Sequence, residues 1–357
     1  MLGLSVYLSE ENRDFNHQWI KRAYENGFSA IFTSLHIPEE DPKNYKQLLM
    51  DLGMQAKKYQ MELYADISPK SFGYLQMEID HAYQLKEWGV TGLRVDYGYS
   101  ADEMVKLSHQ LKLQLNASTL TEELMETLLR KGLDINNIEA SHNFYPRPET
   151  GLGRDFFIRT NRFLKRYDIA ISAFIPGDGL KRQPLYQGLP TLEMHRYDSP
   201  VHACLDLTEN CLVDFVYVGD LSLSDETLTR FSLLKEKIIP LRYQAIKEED
   251  FAPIHKYLCG VQTNRIDEAR DVIRVEGSRA AFNHRRIEPN NTVERPKGTI
   301  TIDNEKYGRY AGEIQITRAD LESDEKVNVI GRVIDEDLPL LSYIGGGRKF
   351  LLQQIKG

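Results

Sequence analysis

The strongest constraint in this chain is a rhythm. Before about residue 240, a short apolar stretch bounded by turn residues is followed by an amphipathic one, and this happens eight times. The apolar stretches are Leu2–Leu8, Phe28–His36, Met61–Ser68, Val90–Gly98, Leu113–Thr119, Ile135–Asn143, Asp168–Gly177 and Leu212–Asp220. Each reads as a buried parallel strand, and the segment after each as a helix that covers it. Glycine follows Asn26, Trp88 and Lys131, where a helix ending in a left-handed residue needs it. Thr119 to Thr121 and Ser224-Asp225 supply the oxygens that cap helix starts. Eight units in this length predict a (β/α)8 barrel. A doubly wound open sheet is the competitor. It rarely needs eight consecutive units, and no glycine-rich phosphate fingerprint follows the first strand.

Beyond Pro240 the pattern changes to alternating strands: "VIRVEG", "GTITIDN", "GEIQITRADL", "VNVIGRVIDED" and "RKFLLQQI". These predict a second, mostly β domain that curls into a small barrel and hides its edges. The expected domains are residues 1–242 and 243–357.

Charge and hydropathy remove whole classes of function. The net charge of −8 provides no basic field for a nucleic-acid partner. No run of about 18 apolar residues is present, and the first residues carry neither a basic nor an apolar leader segment, which predicts a cytoplasmic protein with no membrane partner. Cys204, Cys211 and Cys259 are odd in number and lack metal-ligand spacing, so they read as plain thiols. Oligomeric state is not legible.

In such barrels the chemistry lies at the C-terminal ends of the strands. Those positions hold Ser9 and Glu10, His36, Asp66, Asp96, Asn116, His142 and Asn143, Gly177 and Asp178, and Asp220. The loop after the sixth strand, "SHNFYPRPETGLG", adds Tyr145, Arg147 and Glu149 to the barrel mouth. The long seventh loop adds Lys181, Arg182, Glu193, His195 and Arg196. Loops seven and eight are where barrels often hold phosphate. No serine-hydrolase elbow, zinc-protease helix motif, phosphate-binding P-loop or strand-end lysine is present. The carboxylates remain, and they suit acid–base work on a glycosidic bond with no metal and no cofactor. Each strand-end Asp has a structural alternative, a loop cap or an internal ion pair.

Four segments resemble one family. "RVDYG", "HNFYPRPETGL", "GLPTLEMHR" and "RPKGTITIDNEKYGRYAGE" together are similar to the MupG-type 6-phospho-N-acetylmuramidases, over essentially the whole chain. The resemblance implies a glycosidase-like barrel followed by a cyclophilin-like β domain. It also implies cytoplasmic hydrolysis of 6-phospho-N-acetylmuramyl-N-acetylglucosamine, a small phosphorylated amino-sugar disaccharide, during cell-wall recycling. Two anionic groups on that substrate call for local arginines, with Arg147, Arg154, Arg182, Arg196 and Arg309 as candidates. Asp96 is the first catalytic carboxylate, by analogy with strand-four carboxylates of glycosidase barrels. Asp66, Glu149, Asp178 and Asp220 compete as its partner. The substrate acetamide also permits a substrate-assisted route. The rival readings are a sugar-phosphate isomerase or lyase on the same barrel, and a non-enzymatic carbohydrate-binding protein.

Overall fold

The computed structural model describes residues 1–35 and 44–355. The chain divides into two compact units, Met1–Thr229 and Arg230–Gly357.

In the first unit eight parallel strands close into a barrel in chain order. They are β1 (Leu2–Ser5), β2 (Ala30–Ser34), β3 (Glu62–Ile67), β4 (Gly92–Val95), β5 (Lys112–Asn116), β6 (Ile138–Ser141), β7 (Ala170–Ile175) and β8 (Phe215–Val218). β1 pairs with both β2 and β8, which closes the ring. The helices are α1 (Arg13–Glu25), α2 (Tyr45–Lys58), α3 (Ser71–Tyr74), α4 (Ala101–Ser108), α5 (Glu122–Arg130), α6 (Arg154–Lys165) and α7 (Pro200–Leu205), and α8 (Asp225–Lys235) begins in this unit and ends in the second.

The helix ends follow from local chemistry. Gly27, Gly89 and Gly132 adopt φ of +91°, +93° and +88°. Each closes its helical turn with paired backbone bonds, such as Phe28 N–H to the Ala23 carbonyl at 3.0 Å beside Gly27 N–H to Tyr24 at 3.0 Å. The Thr121 hydroxyl caps α5 through the Leu124 N–H, and the Ser224 hydroxyl accepts the Thr227 N–H at the start of α8. The third unit departs from expectation. Where the sequence pattern predicts one helix, α3 stops and a separate 3-10 segment, Ile79–Lys86, follows. Gln76 takes φ of +55°, and the Met77 N–H reaches back to the Phe72 carbonyl at 3.0 Å. That is the same left-handed stop, made here without glycine, and apolar periodicity alone does not reveal it.

Inside the barrel the strands do not present a uniform core. β7, β8 and β2 contribute Phe174, Tyr217 and Phe32, which form a buried aromatic cluster with Tyr64 and Ala30. Gly3 and Gly92 make room for two of these rings. A Cβ on Gly3 would lie 2.3 Å from the Tyr217 ring, and one on Gly92 2.5 Å from the Tyr64 ring. On the β3–β6 side the interior is polar. Tyr64 donates to Glu139 at 2.9 Å, Gln114 donates to the same carboxylate at 2.9 Å, and Lys112 meets Glu62 at 2.6 Å. Burial pushes the Glu139 carboxyl upward, against the hydrogen bonds from Gln114 and Tyr64.

The second unit is a seven-stranded mixed sheet. Its strands are β9 (Ile238–Ala245), β10 (Val261–Thr263), β11 (Val272–Arg274), β12 (Thr299–Asp303), β13 (Ile314–Thr317), β14 (Val327–Val333) and β15 (Lys349–Gln354), in the order β10-β15-β9-β14-β12-β13-β11. Helices α9 (Ala252–Leu258) and α10 (Ser278–Phe282) interrupt it. The sheet curls until its edges touch. The Arg265 N–H donates to the Arg274 carbonyl at 3.0 Å and the Glu276 N–H to Thr263 at 2.9 Å, across an Asn264–Val275 bridge. Buried Ile300, Ile302, Ile314 and Ile316 belong to its core. Alternation identifies β11 to β15 in the sequence but misses β9 and β10. β9 carries Pro240, a residue that ordinarily argues against an inner strand. Here its carbonyl accepts from Arg230, and Asp337 binds both Arg230 and Arg242, at 2.8 and 2.9 Å. Among the described residues no helix is long and apolar enough to cross a membrane.

Candidate active site

β3 and β4 run in register with Asp66 beside Arg94, and β4 and β5 with Arg94 beside Gln114. Because side chains alternate along a strand, Arg94 and Asp96 share the inward face. Arg94 is buried, and its guanidinium is the hub of the site. It donates to Asp66 at 2.8 Å, to Asp96 at 3.4 Å and to the side-chain oxygen of Asn143. Asp66 also accepts from the Ser34 hydroxyl at 3.2 Å. Asn116, at the end of β5, donates to Asp96 at 2.6 Å and accepts the Ser118 N–H at 2.9 Å, which fixes its amide. The two bonds to Asp96 both fall on Oδ1. Its side chain keeps 22% of its surface exposed, against 9% for Asp66. Gly98, with φ of +81°, turns the chain away immediately afterwards, and a Cβ there would meet Pro69 at 2.8 Å. Tyr145 stands near this group. Burial pushes its phenol upward, and the Asp96 charge adds to that effect.

The loop after β6 divides its side chains between two environments. His142 points away from the barrel axis into the helix layer. Its ring lies 4.3 Å from that of Phe157, and Nε2 meets the Asn161 oxygen at 2.7 Å. Burial lowers its pKa to about 4. Asn143, the next residue, points inward to Arg94, and Phe144 packs on Phe174 and Phe32. Glu149 sits at φ of +71° on the exposed part of the loop, and among the described residues nothing pairs with its carboxylate.

The remaining sequence candidates hold the loops together. Glu193 accepts the N–H groups of Glu149 and Gly151 at 2.8 Å each, and it is bound twice by Arg196 at 2.7 and 2.6 Å. The Arg196 bonds are the main reason its carboxyl falls to about 2. Arg196 is buried and donates further to the carbonyls of Tyr145, Arg147 and Gly188. This pair therefore ties the sixth loop to the seventh. Asp178 accepts from the backbone and hydroxyl of Ser224 and from Thr227, which anchors the start of α8. Asp220 is fully buried and accepts three backbone N–H groups, from Gly177, Arg182 and Leu189. Arg154 is bound to Asp206, as is His195. Arg147 is exposed on its loop. Arg309, in the second unit, donates to the Tyr310 hydroxyl and lies over that ring. His36 lies outside the described residues.

The structure therefore brings Asp66, Asp96, Asn116, Asn143 and Tyr145 together, and it adds Arg94, which the strand-end reading passes over. A signal for Arg94 was present in the sequence. A charged residue two positions before Asp96, inside an otherwise apolar strand, has to share the inward face with it. Among the described residues no group of three or more His, Cys, Asp or Glu is placed to hold a metal ion.

Comparison with known proteins gives a consistent result over both halves of the chain. A family model described as 6-phospho-N-acetylmuramidase, N-terminal, matches residues 2–233, and its C-terminal counterpart matches residues 243–353. No curated protein matches the chain. Among solved structures, a conserved protein of unknown function from a locus in Enterococcus faecalis is 43% identical, with a TM-score of 0.89 over 99% of this chain and 96% of that one. An uncharacterized B. cereus protein is 26% identical, with a TM-score of 0.78 over 99% of each chain.

Proposed function

We propose that this chain, which belongs to the 6-phospho-N-acetylmuramidase family, is a glycoside hydrolase. Its substrate is 6-phospho-N-acetylmuramyl-N-acetylglucosamine, and its products are N-acetylmuramic acid 6-phosphate and N-acetylglucosamine. The reaction belongs to cytoplasmic recycling of cell-wall sugars.

The observation that carries this reading is the setting of Asp96. It is a partly exposed carboxylate at the barrel mouth, oriented on one oxygen by Asn116 and Arg94, with a second carboxylate, Asp66, on the same guanidinium. Asn116 and Arg94 both donate to Oδ1 of Asp96 and so fix the carboxylate in place, and Oδ2 is the atom we assign to take the proton. Whether the nucleophile is water or the substrate's own acetamide oxygen, that proton comes from the attacking side, from the water or from the acetamide N–H. Asp66, buried against Arg94, orients the guanidinium and stays out of the transfer. Glu149, exposed on the loop after β6, is the group we assign to protonate the leaving oxygen. Asn143, bound to Arg94, and Tyr145, close to Arg94 and Asp96, are assigned to orient the sugar.

The test is hydrolysis by the purified full chain of a chromogenic 6-phospho-N-acetylmuramyl glycoside, compared with the unphosphorylated glycoside. We expect cleavage of the first with at least ~10²-fold higher kcat/KM, because a pocket built for a charged group is left with unpaired donors when that group is absent. Equal cleavage of both, or turnover of a phosphorylated monosaccharide only, would remove the muramidase reading.

A further inference from the structure

The seventh loop holds its two arginines, Arg182 and Arg196, in different ways. The Arg182 guanidinium lies over the ring of Tyr7, 4.5 Å from its centroid, with Phe144 at 5.7 Å. Among the described residues no carboxylate pairs with it. Arg94, Arg154 and Arg196 are each committed to a carboxylate. A guanidinium stacked on aromatic faces keeps its in-plane N–H edge free, and that edge matches two oxygens of a phosphate monoester.

The backbone beneath Arg182 is fixed. Buried Asp220 accepts the Arg182 N–H at 3.2 Å, together with those of Gly177 at 2.9 Å and Leu189 at 3.2 Å. The Ser222 hydroxyl accepts the Leu180 N–H at 2.9 Å, and the Leu180 carbonyl accepts the Leu221 N–H at 3.0 Å. The neighbouring Lys181 ammonium donates to the Gly177 carbonyl and sits 3.6 Å from Asp220. Asp220 therefore neutralises the lysine and gathers the loop, while Arg182 is held out over the aromatic wall. Tyr7 follows β1, and Phe144 follows β6 next to Asn143, which bonds the Arg94 that also holds Asp96.

We infer that Arg182 is the phosphate receptor of the site, presented by Asp220 and stacked on Tyr7 and Phe144, and that it selects the phosphorylated sugar. The inference rests on the hydrolase reading above for the identity of the sugar, but it is tested by binding. Calorimetric affinities of the full chain for N-acetylmuramic acid 6-phosphate and for N-acetylmuramic acid are compared in wild type, Arg182→Ala and Arg182→Lys. The expected result is a wild-type preference of at least ~10² for the phosphorylated sugar. It should fall to within about tenfold of unity in Arg182→Ala and recover partly in Arg182→Lys, which restores charge without the planar fork. Thermal unfolding confirms that the variants are folded. A folded Arg182→Ala that keeps the wild-type preference overturns the assignment. A wild type without any preference overturns both the assignment and the substrate proposed above. A preference lost in Arg182→Ala, in a protein that hydrolyses no glycoside, supports the receptor and sinks only the hydrolase reading.

Discussion

The two sides of the barrel interior are built from different materials. Between β3 and β6 the inward positions are Glu62, Tyr64, Asp66, Arg94, Asp96, Gln114, Asn116 and Glu139, joined by hydrogen bonds from one strand to the next. From β7 round to β2 they include Phe174, Tyr217 and Phe32, with Phe144 and Tyr7 above them. The aromatic side supplies apolar burial, and at its upper rim it offers flat surfaces to a guanidinium. The polar side contributes less to core packing. It holds charged groups at fixed positions in a low-dielectric setting, where their orientation is kept without reorganisation. The difference teaches that one closed sheet can serve as a stabilising core and as a charge scaffold at once, the two uses meeting at Tyr64 on β3, which packs in the aromatic cluster and donates to Glu139.

The comparison breaks first if chemistry does not depend on the polar side. Asp96→Asn keeps shape and removes the proton acceptor, so kcat should fall by ~10² or more, with the melting temperature close to wild type. Steady-state kinetics beside calorimetry measure both, and a near-normal kcat would return Asp96 to a purely structural role. The next effect is on stability. Arg94→Met leaves Asp66 buried without its guanidinium, and breaking a buried pair in this way costs about 3–5 kcal/mol. Denaturant unfolding should show that loss, and activity should fall too because Asp96 and Asn143 lose a shared anchor. If unfolding is unchanged, Asp66 has found another partner and the network is not the scaffold described here.

A third effect, seen only as the pH is varied, lies at the end of β6, where the two sides meet. His142 has a folded pKa near 4, below its ordinary 6.5, because burial disfavours the cation. The unfolded chain therefore binds more protons between those values. The His142 contribution is fully present above about pH 6.5 and is lost as the pH falls toward 4, by on the order of 3 kcal/mol. Comparing the pH dependence of unfolding in wild type and His142→Gln isolates it. The same slope in both would show that His142 is not the buried titrating group.

Much of this was legible in the residues alone, and the legible part is local. Strand alternation, the left-handed glycines after α1 and α5 and the capping hydroxyls at α5 and α8 each depend on neighbours a few positions away. For that reason the eight βα units are legible in the sequence, and with them the positions that end each strand. The same logic extends to Arg94, two residues from Asp96 and so on the same face. The break after α3 at Gln76 was not legible, because nothing but backbone geometry marks a left-handed residue that is not glycine. β9 was hidden by Pro240, whose unusual place depends on contacts with Arg230.

What the sequence could not decide was which strand-end carboxylate is available for chemistry. Asp96 and Asp220 look alike in one dimension, each closing a strand-like stretch that ends near a valine, with a glycine within two positions. The fates of these two groups are set by donors far along the chain. Asp220 is saturated by N–H groups 31 to 43 positions away. Asp96 receives one bond from Arg94, two positions back, and one from Asn116, 20 positions on. Side-chain direction along a strand is a property of the local backbone, and the sequence by itself determined it. The hydrogen-bond partners that consume a carboxylate or leave it open arrive only when loops close over the barrel, and only the tertiary structure decided them.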